Sequence, residues 1–213
     1  MARPIVYGPA YSTYVRTARL ALEEKGVPYD LVEIDSLAGG TRAPDHLARH
    51  PFGKVPAFTH DGLVLFETDA ITRYVNEAFE GPALEPGDLR ARALMTQAIS
   101  VINSYAYPSL IGQIVIQRLV MPLMGGSADE AVIAAAMPQA RTCIAVLGRM
   151  AGGHSWLVSD AISRADLFLI PIYAYVEQTP EGRELLAEAA ELRRWWEGVE
   201  DRPSVVATRP KLG

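Results

Sequence analysis

The stretch from His50 to Val75, His-Pro-Phe-Gly-Lys-Val-Pro-Ala-Phe-Thr-His-Asp-Gly-Leu-Val-Leu-Phe-Glu-Thr-Asp-Ala-Ile-Thr-Arg-Tyr-Val, leaves this chain little freedom in how it can fold. Residues 54–59 alternate as a strand does, yet Pro56 has no N–H to give a sheet ladder and so belongs at an edge or a strand start. The neighbouring backbone is left open to a ligand. His60-Asp61-Gly62 supplies a tight turn, and Leu63-Val64-Leu65-Phe66 is a short apolar run suited to a buried strand, so the chain doubles back as a hairpin. A helix opens at Glu67-Thr68: threonine is a favoured N-cap, and Ala70, Ile71, Tyr74, Val75 and Ala78 recur on one face. The start of that helix offers unpaired N–H groups and the positive end of its dipole to a carboxylate, while Glu67 beside it can hold an ammonium. A free strand edge next to groups for both charged ends suits a short peptide.

Two motifs are linked here, His50-Pro51-Phe52-Gly53-Lys54-Val55-Pro56-Ala57 and Phe66-Glu67-Thr68-Asp69-Ala70-Ile71-Thr72-Arg73-Tyr74. Together they resemble the glutathione-binding half of the glutathione transferases. The resemblance implies a cis bond before Pro56, pairing of the Val55 backbone with the cysteinyl part of glutathione, Glu67 and Thr68 at the γ-glutamyl end, and Lys54 at the glycine carboxylate. The basic residue that the family carries near position 40 is replaced by Gly39-Gly40-Thr41-Arg42, where Arg42 is the substitute. The likeness is specific over residues 1–80 and general beyond them.

Ahead of this stretch, Pro4-Ile5-Val6-Tyr7 reads as a strand, Gly8-Pro9 as a loop, and Ser12 or Thr13 as the cap of a helix closed by Lys25-Gly26. Residues 27–35 alternate and predict a second strand, parallel to the first through a right-handed crossover. With the hairpin and helix, this gives a βαβ-ββα, thioredoxin-like domain over residues 1–80. Gly and Pro crowd residues 81–88, which read as a linker. Residues 89–213 predict an all-helical bundle that carries the electrophile site, with a helix bent rather than ended at Pro108 and a second containing Pro138. Ser163-Arg-Ala-Asp166 is a capping box, and Trp195 with Trp196 should divide between core and surface.

Chemistry on glutathione needs a thiolate, and a free thiol with a pKa of about 8.5 must be stabilised by a donor or a helix start. Three hydroxyls compete at the first strand-to-helix junction: Tyr7, Tyr11 and Ser12. Ser12 combines its O–H with the helix N-terminus and is the expected catalytic residue, with Tyr7 its rival. Ser12 also reads as a plain N-cap, and Tyr7 as a core aromatic. Tyr7-Gly8, Ser12-Thr13, Arg16 and Leu22-Glu-Glu-Lys25 resemble the serine-using phi and theta-like branches, of bacterial type. Tyr11, Tyr105, Tyr107 and Ile111, with Val115, are weak candidates for a second-substrate pocket, since apolar stripes at helical spacing are more often core. His46 and His50 have the spacing of two metal ligands on a helix, but no third ligand is evident, and no metal is expected.

A net charge of −5 excludes the basic footprint of a nucleic-acid binder. The single cysteine, Cys143, excludes an internal disulfide framework and fits a reducing compartment. The N-terminus lacks a signal-peptide pattern, no apolar run approaches the roughly 20 residues of a membrane span, and a cytoplasmic protein without membrane partners is expected. The resemblance implies a detoxifying transferase, a homodimer, that joins its co-substrate glutathione to a small apolar electrophile. The alternatives are glutathione-dependent peroxide reduction, isomerisation or dehalogenation, and a non-catalytic binding protein.

Overall fold

The strand β1 (Ile5–Tyr7) lies inside a sheet of order β2-β1-β3-β4, parallel to β2 (Asp30–Val32) and antiparallel to β3 (Ala57–His60), which in turn pairs antiparallel with β4 (Leu63–Phe66). The computed structural model describes residues 2–210. Helix α1 (Thr13–Glu24) makes the crossover from β1 to β2, α2 (Pro44–Leu47) is a single turn, and α3 (Thr68–Ala78) follows the hairpin. This is the thioredoxin-like order. The hairpin closes on two residues, Asp61 and Gly62, both at positive φ, which matches the twist of the flanking strands.

Two strands differ from expectation for one reason each. β2 is confined to three residues, because it is an edge strand fed by Pro28 and ladders only with Ile5, Val6 and Tyr7. β4 is not buried. It is the opposite edge of the sheet, and Leu63 and Val64 remain exposed.

The chain divides into two units, one formed by residues up to Leu84 together with those from Arg202 onward, the other by Glu85–Asp201. The return of the C-terminal residues to the first unit is not visible in the sequence. In the second unit, α4 (Leu89–Val101) continues through Ile102–Val120 in π-type hydrogen bonding to α5 (Met121–Leu123). The helix passes through Pro108 without stopping. α6 (Glu130–Ala151) packs along it, and both are long and apolar enough, by length and composition, to cross a membrane, contrary to the expectation from the sequence. Here they form a core instead, with Ile102, Ala106, Leu110, Ile114, Ala140 and Leu147 buried.

α7 (Arg164–Val176), α8 (Pro180–Ala187) and α9 (Ala190–Val199) complete this unit, and α10 (Pro203–Ala207) belongs to the first. The capping box at α7 is present. The Asp166 carboxylate accepts from the Ser163 N–H and hydroxyl, the Leu157 N–H and the Trp195 indole N–H, each at 2.8 Å. Trp195 and Trp196 are both buried and pack on Tyr173, so neither goes to the surface as expected.

Candidate active site

Gly8 ends β1 and is where the site begins. Its φ of +146° is open to glycine, and a Cβ there would stand 2.5 Å from Val15 Cγ2 and 3.0 Å from Val55 Cβ. The first turn of α1 and the residue before Pro56 are thereby drawn against one backbone position.

Ser12 is the N-cap of α1, with extended backbone (φ −67°, ψ 130°), and its Oγ accepts from the Val15 N–H at 3.5 Å. The capping role and a role on sulfur do not compete. A hydroxyl has one donor and two acceptor lone pairs, and the cap takes only an acceptor. Tyr7 is committed to the interior: its ring is 9% exposed under the Arg49 guanidinium, 4.4 Å away, and its hydroxyl is 3.4 Å from that of Thr59. The Tyr11 hydroxyl lies 2.9 Å from Ser36 Oγ.

The Val55–Pro56 peptide bond is cis. Sheet pairing of β3 starts at Ala57, so Val55 stays outside the ladder. His46 Nε2 donates to the Lys54 carbonyl at 2.7 Å and fixes the approach to this edge, a contribution that no spacing in the sequence reveals. The histidine pair is thus occupied structurally, with the rings stacked 6.3 Å apart. Among the described residues no cluster of three or more His, Cys, Asp or Glu is placed to hold a metal. Burial pushes the His50 imidazole down from its ordinary pKa, and it packs against Phe52 and Phe66.

Glu67, not Thr68, is the N-cap of α3, at the strained φ of 68° and without a side-chain cap bond. A non-glycine residue held in that region is uncommon and marks a site where the surroundings impose it. Thr68 is the first helical residue and is buried, while Glu67 is exposed. Arg42 ends a short 3-10 turn (Gly40–Arg42), and its guanidinium flanks Gly53, the residue before Lys54. Both cations are exposed, and no partner among the described residues holds either head group. The strained helix start, the open edge at Val55 and these two cations can take the two charged ends of a peptide.

In the second unit the proposed pocket residues separate. Tyr105 is exposed and Tyr107 half-buried, but Ile111 is 6% exposed and belongs, with Val115, to the core of its own unit. Cys143 is also buried, and burial pushes its thiol up.

Residues 4–77 match the glutathione S-transferase N-terminal domain, and residues 107–203 the C-terminal domain. A probable glutathione S-transferase of Oryza sativa subsp. japonica, GSTF1, is 33% identical over 204 residues, which cover 94% of this chain and 92% of the relative. Glutathione transferase F7 from Populus trichocarpa superposes with a TM-score of 0.86 at 30% identity, over 96% of this chain and 97% of the other. Glutathione S-transferase I from maize, solved in complex with an atrazine glutathione conjugate, superposes with a TM-score of 0.84 at 29% identity, over 97% and 96% of the two chains. With the thioredoxin-like sheet, the cis bond before Pro56 and the strained Glu67 in place, the chain belongs to the glutathione S-transferase family.

Proposed function

We propose that this protein transfers the thiolate of glutathione to an apolar electrophile, with Ser12 holding the sulfur anionic. The observation that carries the reading is Gly8, whose missing side chain lets the Ser12-capped helix start and the open edge at Val55 meet. Glutathione lies along that edge, its cysteinyl part paired with the Val55 backbone, its γ-glutamyl end at Glu67 and Thr68, and its glycine carboxylate at Lys54 and Arg42. The thiol gives its proton to solvent. The sulfur lone pair then forms a bond to the electrophilic carbon, and the leaving group departs with the electrons of the bond that breaks. Ser12 donates its O–H to the sulfur, and the N–H groups at the start of α1 add the positive end of a dipole. No proton-accepting side chain is required.

Conjugation rather than reduction is favoured by the company this chain keeps, since the maize relative was solved with a glutathione conjugate. The test is conjugation of a chloronitrobenzene. Ser12→Ala should lower kcat by about 10²-fold, the range for losing one donor to a developing anion, whereas Tyr7→Phe should change it little. A Ser12→Ala protein as fast as the parent would exclude the assignment.

The reading includes a cytoplasmic homodimer acting in detoxification. Support for the compartment is the single, buried cysteine. Support for a second copy is the exposed apolar set on the hairpin side of the first unit, Phe52, Leu63 and Val64, which a lone chain leaves in water.

A further inference from the structure

Helix α1 is gripped at both of its ends by the last described stretch of the chain. At its first turn, Arg16 is a buried cation, 2% exposed; its Nε donates to Thr208 Oγ1 at 3.3 Å and a terminal nitrogen donates to the Val205 carbonyl at 3.1 Å. At its last turn, the Glu24 carboxylate accepts two bonds of 2.7 Å from Arg202 and a further bond from the Ser204 hydroxyl. Residues 202–208 therefore lie as a strap along the helix, and Thr208, itself fully buried, is tied back by donating to the Ser204 carbonyl at 2.8 Å.

The strap is more than the packing of α1 requires. Val15, Ala18, Ala21 and Leu22 are already fully buried and hold the helix by its apolar face. A guanidinium taken out of water is costly unless every bond it needs is made, so an apolar side chain would serve packing better. What a buried, hydrogen-bonded cation adds is a fixed position. Arg16 stands four residues after Ser12, its amide donates to the Ser12 carbonyl at 2.9 Å, and it is the residue that closes the turn on Ser12.

We propose that Arg16, locked by Thr208 and the Val205 carbonyl, is a positioning residue for Ser12. It sets the first turn of α1 so that the serine hydroxyl and the free N–H groups face the glutathione sulfur. The inference rests on the assignment of Ser12 above and extends it to the far end of the chain.

The experiment reads the pKa of bound glutathione by thiolate absorbance in a pH series, together with KM and kcat for a chloronitrobenzene. Thr208→Val, nearly isosteric but unable to accept from Arg16, should raise the bound thiol pKa by about half a unit or more and lower kcat while KM for glutathione holds. Thr208→Ser keeps the acceptor and should restore both. Glu24→Gln loosens only the other end and should lower the melting temperature without moving the thiol. If Thr208→Val leaves the thiol where it was while Ser12→Ala moves it, the strap is structural and the inference is overturned with the serine assignment intact. A thiol shift in Glu24→Gln equal to that in Thr208→Val overturns it as well, because general loosening would then explain both. If Thr208→Val moves the thiol and Ser12→Ala does not, Arg16 positions the helix start alone, and the part of the inference that concerns the hydroxyl falls with the serine assignment. Silence in both variants overturns both.

Discussion

Gly8 and Val15 approach so closely that a Cβ on the glycine would lie 2.5 Å from Val15 Cγ2. The glycine also holds a φ of +146°, so an alanine meets both a clash and a strained backbone. Gly8→Ala should therefore cost about 1–3 kcal/mol from backbone strain alone, with overlap added. It should also weaken glutathione binding, because Val15 and Val55 must part. Gly62, at φ +80° with open space around a Cβ, is the control for strain without overlap. Urea denaturation of both variants decides: equal losses would mean that the contact with Val15 relaxes freely.

The Arg42 guanidinium flanks Gly53, the residue that precedes Lys54 in the chain. If they share the glycine carboxylate, either alanine variant should raise KM for glutathione roughly fivefold with kcat unchanged, as expected for one charge-assisted contact at an exposed site. Added salt should shrink the difference, since exposed charges are screened. A change in kcat with KM constant would move these residues out of the binding role.

The Asp166 carboxylate accepts four hydrogen bonds while completely buried, and burial pushes its pKa up even as those donors pull it down. Asp166→Ala strands the Trp195 indole and two backbone N–H groups, each costing about 1–3 kcal/mol if left unsatisfied. Global stability should fall by several kcal/mol, on the order of 3–6. Thermal melting gives the loss, and the activity of the molecules that remain folded should be kept. Selective loss of activity at full stability would mean that the residue is not a folding device.

How much of this was legible in the sequence differs between the two units. In the first, the Asp61-Gly62 turn dictates backbone states that few residues can adopt, so the hairpin could be read directly, whereas the cis bond before Pro56 came only from the family resemblance, since proline by itself is mostly trans. The helix start was read one residue late, because Thr68 is the better cap former by type while the fold places strained Glu67 there. The apolar residues of β4 suit a buried strand equally well, and only the strand order shows it to be an edge. In the second unit, helical spacing cannot tell a pocket wall from a core face, and Ile111 fell on the core side. Contacts far apart in sequence, such as Arg16 with Thr208 or Glu24 with Arg202, leave no local signature at all.

His50 is buried, its Nδ1 has no hydrogen-bond partner among the described residues, and burial holds its pKa below the ordinary histidine range. The unfolded chain therefore takes up the proton first as pH falls. Between the unfolded and the folded pKa, the unfolded state binds more protons, and stability rises with pH. The contribution is fully present above the unfolded value and is lost on acidification through the folded one. His50→Phe, which can pack against Phe52 and Phe66, should flatten that part of the stability profile below pH ~6.5. Denaturant midpoints measured across this range test it; a variant with the parent's slope would assign the acid sensitivity to other groups.

Phe52 is 64% exposed although it packs edge-on against Phe66 and His50, so its ring is held out from the surface by its own neighbours. A pre-positioned aromatic of this kind loses little side-chain entropy on docking, which is why such rings dominate interfaces. It packs against Phe66 of the edge strand β4, on which Val64 shares the face of Phe66 and is exposed, so that side of the first unit offers both an anchor and an apolar neighbour. If a second copy covers this face, Phe52→Ser removes the anchor twice, once per protomer, because a two-fold interface repeats every contact. A hot-spot ring is worth about 2 kcal/mol or more, so the dimer dissociation constant should rise by about three orders of magnitude when two are lost. Sedimentation at low micromolar concentration should then show a monomer where the parent sediments as a dimer. The fold itself should survive, since Phe52 contributes little to the core. A parent protein that sediments as a monomer, or a variant that still sediments as a dimer, would remove Phe52 from the interface.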